Sequence, residues 1–196
     1  MTDPFVFALA ALALLATPGP TNTLLATSGA AAGFARSIRL VLAETLGYTF
    51  SITMLALLIG PIVNASQALG IALRLGCGLF LLYAAWRLWR EGATALTSTE
   101  PVAFRRVLIA TALNPKAVIF AFVVLPHLSN GEVQAALPYF AALIAMIALI
   151  GSCWIAAGAV LRAGGGTLLS AGAARRGGAL ILCGFAALIS GSVFNF

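Results

Sequence analysis

The sequence predicts an all-α integral membrane protein with six transmembrane helices in two inverted three-helix halves, helices 1 and 4 being discontinuous. Three observations carry this expectation. The 196 residues are 62% hydrophobic and 8% charged, whereas a soluble domain carries about a quarter charged residues. Such a chain cannot cover a water-facing surface. The apolar residues fall in long stretches that do not alternate, which indicates helices rather than a barrel. Two of those stretches are interrupted by proline motifs at equivalent places.

The spans read in order as Pro4–Ala26, Ile38–Val63, Ala68–Trp89, Val107–Leu125, Ala135–Leu161 and Gly178–Phe194. Each is near the ~20 residues needed to cross ~30 Å of hydrocarbon. The opening "MTDPFVFALAALALLA" has no basic leader region and no clear small-residue cleavage site, so it is read as the first span. The connections are short, which leaves one transmembrane domain over residues 1–196, with halves of about 1–100 and 101–196. Cys77, Cys153 and Cys183 lie in apolar segments at unrelated spacing and read as small packing residues.

Orientation follows from the basic residues. Arg36 and Arg39 follow span one, Arg87, Arg90, Arg105 and Arg106 follow span three, and Arg162, Arg175 and Arg176 follow span five. The alternate loops, Asn64–Gln67 and His127–Gln134, have none, and neither does either terminus. That side-by-side split makes the basic loops cytoplasmic and puts both termini outside. It also accounts for the net charge of +6 without nucleic acid, since no loop is long enough to form a basic binding surface.

The breaks come next. "ATPGPTN" at Ala16–Asn22 interrupts the first span, and Asn114-Pro115-Lys116 interrupts the fourth. Each is thus in the first helix of a three-helix half. Pro18 lies about 20 Å from the outer edge and Pro115 about 18 Å, so the two share one level. Prolines remove backbone donors and leave carbonyls of the preceding turn free. In hydrocarbon this is tolerated only where protein, water or ligand supplies partners, so the breaks are expected to line a cavity. A plain proline kink is the competing reading.

These motifs resemble the LysE/RhtB-type amino-acid exporters, the lysine and homoserine/threonine efflux superfamily. The carriers are "TPGPTN" at Thr17–Asn22, "GFARSIRL" at Gly33–Leu40, "ALRLGCGLFLLYAAWRLWR" at Ala72–Arg90 and "ALNPKAVIFAFVVLP" at Ala112–Pro126. The resemblance implies six helices in inverted halves. It also implies a secondary transporter that exports amino acids or related small zwitterions across the bacterial inner membrane, usually driven by protons. Many members carry an Asp after the glycine of span two; here Tyr48 follows Gly47, and Glu44 sits one turn earlier.

Three charged residues fall inside spans: Glu44, Arg74 and Lys116. Intramembrane charges are costly and point to function by default. Snorkelling is the alternative for Arg74 and Lys116, and a structural pair with Arg39 or Lys116 is the alternative for Glu44. One carboxylate and two cations leave one positive charge that a substrate carboxylate could match. The expected substrate-binding set is Thr17, Pro18, Gly19, Pro20, Asn22, Asn114, Pro115 and Lys116, with Glu44 as the proton carrier and Arg74 as a charge partner. Helix N-termini after Pro20 and Pro115 offer N–H groups to an anion. Carbonyls near Thr17 and Leu113 suit an ammonium. Gly29 and Gly33 match a small-xxx-small packing motif, and Gly164–Gly166 reads as a turn rather than a phosphate loop.

A small-solute channel or a bilayer-embedded structural partner would use the same apolar spans. An enzyme would need a catalytic constellation, and the one histidine, His127, sits at a loop. No cofactor or metal is expected; the partners are a small-molecule substrate, protons and the lipid bilayer, with a homo-oligomer left open. The orientation is directly testable. Alkaline phosphatase fused after Ser66 or Ser129 should be active in cells, and fused after Arg36 inactive. An inactive fusion at Ser66 overturns the assignment.

Overall fold

The structure, a computed structural model, describes residues 3–90, 102–163 and, of a last helical segment, residues 179, 180, 182–184, 186 and 187. Among the described residues there is no strand. The first helix, α1 (Pro4–Ala16), starts where the Asp3 side chain accepts the N–H groups of Phe5 and Val6 at 2.7 and 3.1 Å, with Pro4 in the first turn. Its buried face is Phe7, Ala10, Ala11, Leu14 and Leu15, the i, i+3, i+4, i+7 pattern of one helix side. It stops before Pro18. After a 60° bend, α2 (Pro20–Ala32) continues the pair.

Gly33 turns the chain at φ 81°, a conformation that favours glycine. A second rod then runs from Phe34 to Asn64, 31 residues. It comprises α3 (Phe34–Ser37), α4 (Arg39–Met54), a π-helical turn at Leu55–Ile59 and α5 (Gly60–Asn64). Then come α6 (Gln67–Arg90) and a second broken rod. In that rod α7 (Phe104–Ala112) is followed by α8 (Lys116–Ile119), which passes into a π turn at Phe120–Val124, the two parts meeting at 51°. A one-turn α9 (Pro126–Ser129) leads to α10 (Val133–Arg162). The π turns are closed by Gly60 N–H on the Leu55 carbonyl and Leu125 N–H on the Phe120 carbonyl, and each is followed by a proline, Pro61 or Pro126. A proline has no N–H for the regular ladder, and π turns are one way a helix absorbs that loss.

Three helices are long and apolar enough to cross a bilayer, and the two bent pairs bring the total to five among the described residues. The expected sixth span falls mostly outside the described residues, as do Arg175, Arg176 and the Gly164–Gly166 run. The observed bounds are wider than expected: α2 runs to Ala32 rather than Ala26, and the second rod starts at Phe34 rather than Ile38. The exposed large residues, Phe5, Phe50, Leu58, Leu79 and Leu149 among them, are what a lipid-facing surface presents.

Packing is closest where glycines let backbones meet. A Cβ at Gly29 would collide with the Ile155 carbonyl, and one at Gly158 with the Ala26 carbonyl. These two reciprocal contacts lay α2 antiparallel along α10. A Cβ at Gly47 would stand 2.7 Å from Thr111 Cβ and 2.9 Å from the Leu108 carbonyl, which brings α4 onto α7. The small-xxx-small expectation therefore holds for Gly29 alone; Gly33 faces open space and serves the turn. Gly158→Leu should destabilise the protein in detergent by about 3 kcal/mol or more, since the obstacle is backbone that cannot repack. Gly76→Ala, whose added methyl meets nothing within 4 Å, should leave the melting temperature within a degree or two.

Candidate functional site

The two breaks meet. Pro18 has no N–H to give the Leu14 carbonyl, Pro20 has none for Ala16, and the extended backbone at Gly19 takes the chain out of helix. The carbonyls of Leu14, Leu15 and Thr17 are thereby released from the α1 ladder. Two side chains collect them. Lys116 Nζ donates to Leu14 O at 2.8 Å and to Thr17 O at 2.7 Å. Asn22 Nδ2 donates to Leu15 O and to Thr17 O, both at 2.8 Å. The Thr17 hydroxyl folds back on Ala13 O at 2.6 Å. Lys116 is 7% exposed and Asn22 3%, so neither reaches an interface and the snorkelling alternative for Lys116 is set aside.

The second break is tied in the same way. Asn114 Oδ1 accepts the Lys116 N–H at 3.0 Å, so Asn114 caps the restart of its own helix. That N–H is therefore not offered to an anion, contrary to the expectation for the helix start after Pro115. The Asn114 amide donates to Tyr48 Oη at 3.0 Å and to Thr21 Oγ1 at 3.3 Å. Thr111 Oγ1 donates to Val107 O at 2.8 Å and faces Thr21 Oγ1 at 3.2 Å. Leu113, near which a second patch of ammonium-accepting carbonyls is expected, is itself 78% exposed.

Glu44 is buried beside this joint. Its Oε2 is without a hydrogen-bond partner and lies against Gly151, where a Cβ would strike it. Among the described residues neither Arg39 nor Lys116 forms an ion pair with it. Tyr48, one turn on along α4, is fully buried, sets its ring edge-on to Phe120 at 5.7 Å and connects Glu44's helix face to Asn114. Lys116, Asn22, Thr17 and Asn114 thus converge, and Glu44 stands one helical turn from Tyr48, against Gly151. Gly19 sits under the Lys116 ammonium, Pro20 opens α2, and Pro115 precedes α8 at an exposed position.

Arg74 does not join them. It lines a separate cavity of about 250 Å³ with Asn64, Gln67, Ser129 and Asn130. A further cavity of about 360 Å³, at the opposite loops, is lined by Ser28, Arg36, Arg39 and Val102. Sequence reasoning missed Thr21, Tyr48, Thr111 and Gly151. Thr111 carried a signal, since it stands four residues before Pro115 and its carbonyl loses that donor. Tyr48 also did, sharing a helix face with Glu44 at i+4.

The family model described as "LysE type translocator" matches residues 12–193. A cysteine/O-acetylserine efflux protein of Klebsiella pneumoniae subsp. pneumoniae is 27% identical over 146 residues, covering 72% of this chain and 74% of its own. No solved structure matches the chain.

The joint itself yields a stability test. Asn22→Ala should cost about 1–3 kcal/mol, because the Leu15 carbonyl is left buried without a donor. Asn22→Asp should be worse, as it turns an acceptor toward acceptors. Denaturation midpoints in detergent measure both, and an Asp variant as stable as wild type would contradict the hydrogen-bond assignment.

Proposed function

This chain belongs to the LysE type translocator family, and from that premise we propose that it is a secondary transporter exporting small amino acids across the inner membrane with proton coupling. The supporting observation is the buried knot in which Lys116 and Asn22 hold the freed carbonyls of the first break while Asn114 holds the second. Irregular backbone at membrane depth is tolerated where it is buried in protein or lines a cavity. A substrate-handling site built of broken helices is the arrangement secondary transporters use. The relative named for cysteine and O-acetylserine efflux favours a small α-amino acid.

The inverted-repeat reading has support in the packing. The first broken rod, α1 and α2, packs on α10, and the second, α7 and α8, packs on α4. Each half's broken helix thus leans on the other half's second helix, the exchange expected of a pseudo-two-fold. The basic-loop split argues for both termini outside.

In the proposed cycle Glu44 carries the proton. A carboxyl group in this site is neutral while protonated and becomes a costly buried charge once it is not, unless a cation is near. The cation is the substrate ammonium or Lys116. Inward proton flow would drive outward substrate flow, with ~2.3 kcal/mol per charge per 100 mV available.

Reconstituted vesicles loaded with a panel of amino acids test this. Wild type should drive a small amino acid against its gradient when a proton gradient is imposed, and should show counterflow, which a channel would not. Glu44→Gln should lose accumulation and keep downhill exchange. Coupled export at the normal rate by that variant would remove Glu44 from the proton pathway.

A further inference from the structure

The Lys116 ammonium and the Asn22 amide do one job: they satisfy carbonyls released by the Pro18–Pro20 break. Asn22 does it without charge. Burying a cation costs far more than burying an amide, and among the described residues no carboxylate pairs with Lys116. For capping alone the charge is an expense without return. It has a use if the carbonyl cradle is meant for an ammonium group that arrives and leaves.

Two further features agree. The backbone at Gly19 is extended, with φ −157°, which any residue adopts, so the glycine is not there for conformation. It is there for space: a Cβ would stand 3.3 Å from Lys116 Nζ and 3.4 Å from its Cε, so any side chain at position 19 would crowd the ammonium. A displaced Lys116 also needs an acceptor, and Glu44 Oε2 is buried without a hydrogen-bond partner.

We infer that the cradle formed by the Leu14 and Thr17 carbonyls is a site for an unsubstituted primary ammonium, and that Lys116 is its tethered resident, displaced toward Glu44 when a ligand's own ammonium takes its place. The inference deepens the transporter reading and rests on it for the identity of the ligand. It assigns the substrate's amino group to Leu14 and Thr17 and makes Lys116 a competitor of the substrate. Quaternary and N,N-dimethylated amines lack the two N–H donors the cradle needs and should be refused.

The test uses purified full-length protein in detergent, with ethylammonium chloride as probe and tetramethylammonium chloride and KCl as controls. Lys116→Met empties the cradle. Its melting temperature should rise by about 5 °C at saturating ethylammonium and not with tetramethylammonium, while wild type, in which Lys116 competes for the cradle, should need at least tenfold more ethylammonium for the same rise. If Lys116→Met does not fold alone, recovery of a folded monodisperse protein by ethylammonium during purification is the same positive result. Lys116→Gln, which keeps amide donors, is the folded variant that should not respond. Gly19→Val in the Lys116→Met background should weaken the ethylammonium response at least tenfold. An unresponsive Lys116→Met, or equal responses from wild type and variant, overturns the inference. Binding of ethylammonium does not require export, so a positive shift in a protein that exports nothing would sink the transporter reading and spare the cradle.

Discussion

Everything around the two breaks depends on one constraint: a carbonyl released inside hydrocarbon must find a donor within the protein. Pro18 and Pro20 release a cluster of them, and Lys116 and Asn22 are the donors that answer. The donors come from two different places in the chain. Asn22 lies in the same broken rod, only a few residues on, whereas Lys116 belongs to the other broken rod, 99 residues from Thr17. Satisfying the first break therefore fastens it to the second, and local backbone chemistry becomes tertiary structure.

That fastening needs the rods to be close, and small residues allow it. Gly47 brings α4 within contact of Thr111 on α7, which carries Tyr48 to Asn114. Gly29 and Gly158 lock α2 to α10, and on the same face of α10, seven residues earlier, Gly151 leaves room for the Glu44 carboxylate. Without a hydrophobic drive between helices in lipid, such close backbone approach is what holds a bundle. The same contacts that stabilise the bundle thus bring α2, α4, α7 and α10 together around the polar joint.

Much of this was legible in the residues. Helical spans follow from hydropathy alone, and both breaks from their prolines. Thr17, Asn22, Asn114, Lys116 and Glu44 were singled out by polarity at membrane depth; hydrogen bonds join the first four, and Glu44 is buried against Gly151. Two kinds of information were not legible. Which partner a donor chooses is a tertiary matter: nothing in Asn114 says that its amide will reach Tyr48 Oη rather than a ligand, or that its oxygen will cap Lys116. Where the Arg74 side chain ends up is the other. A place inside a span made it an expected charge partner, but it lines a different cavity, among the loop residues Asn64, Gln67, Ser129 and Asn130.

The π turns at Leu55–Ile59 and Phe120–Val124 have a consequence for how the spans are drawn. A turn closed five residues back holds one residue more than an ordinary turn. Beyond it, every side chain is advanced by one residue's share of the circle, about 100°. A single wheel through the rod from Arg39 to Asn64 is therefore out of phase past Ile59. It would misassign the azimuth of Asn64, whose amide reaches the Ser129 carbonyl at 2.9 Å. Each of these spans has two faces rather than one, joined at a phase slip, and lipid-facing and protein-facing stripes change columns there.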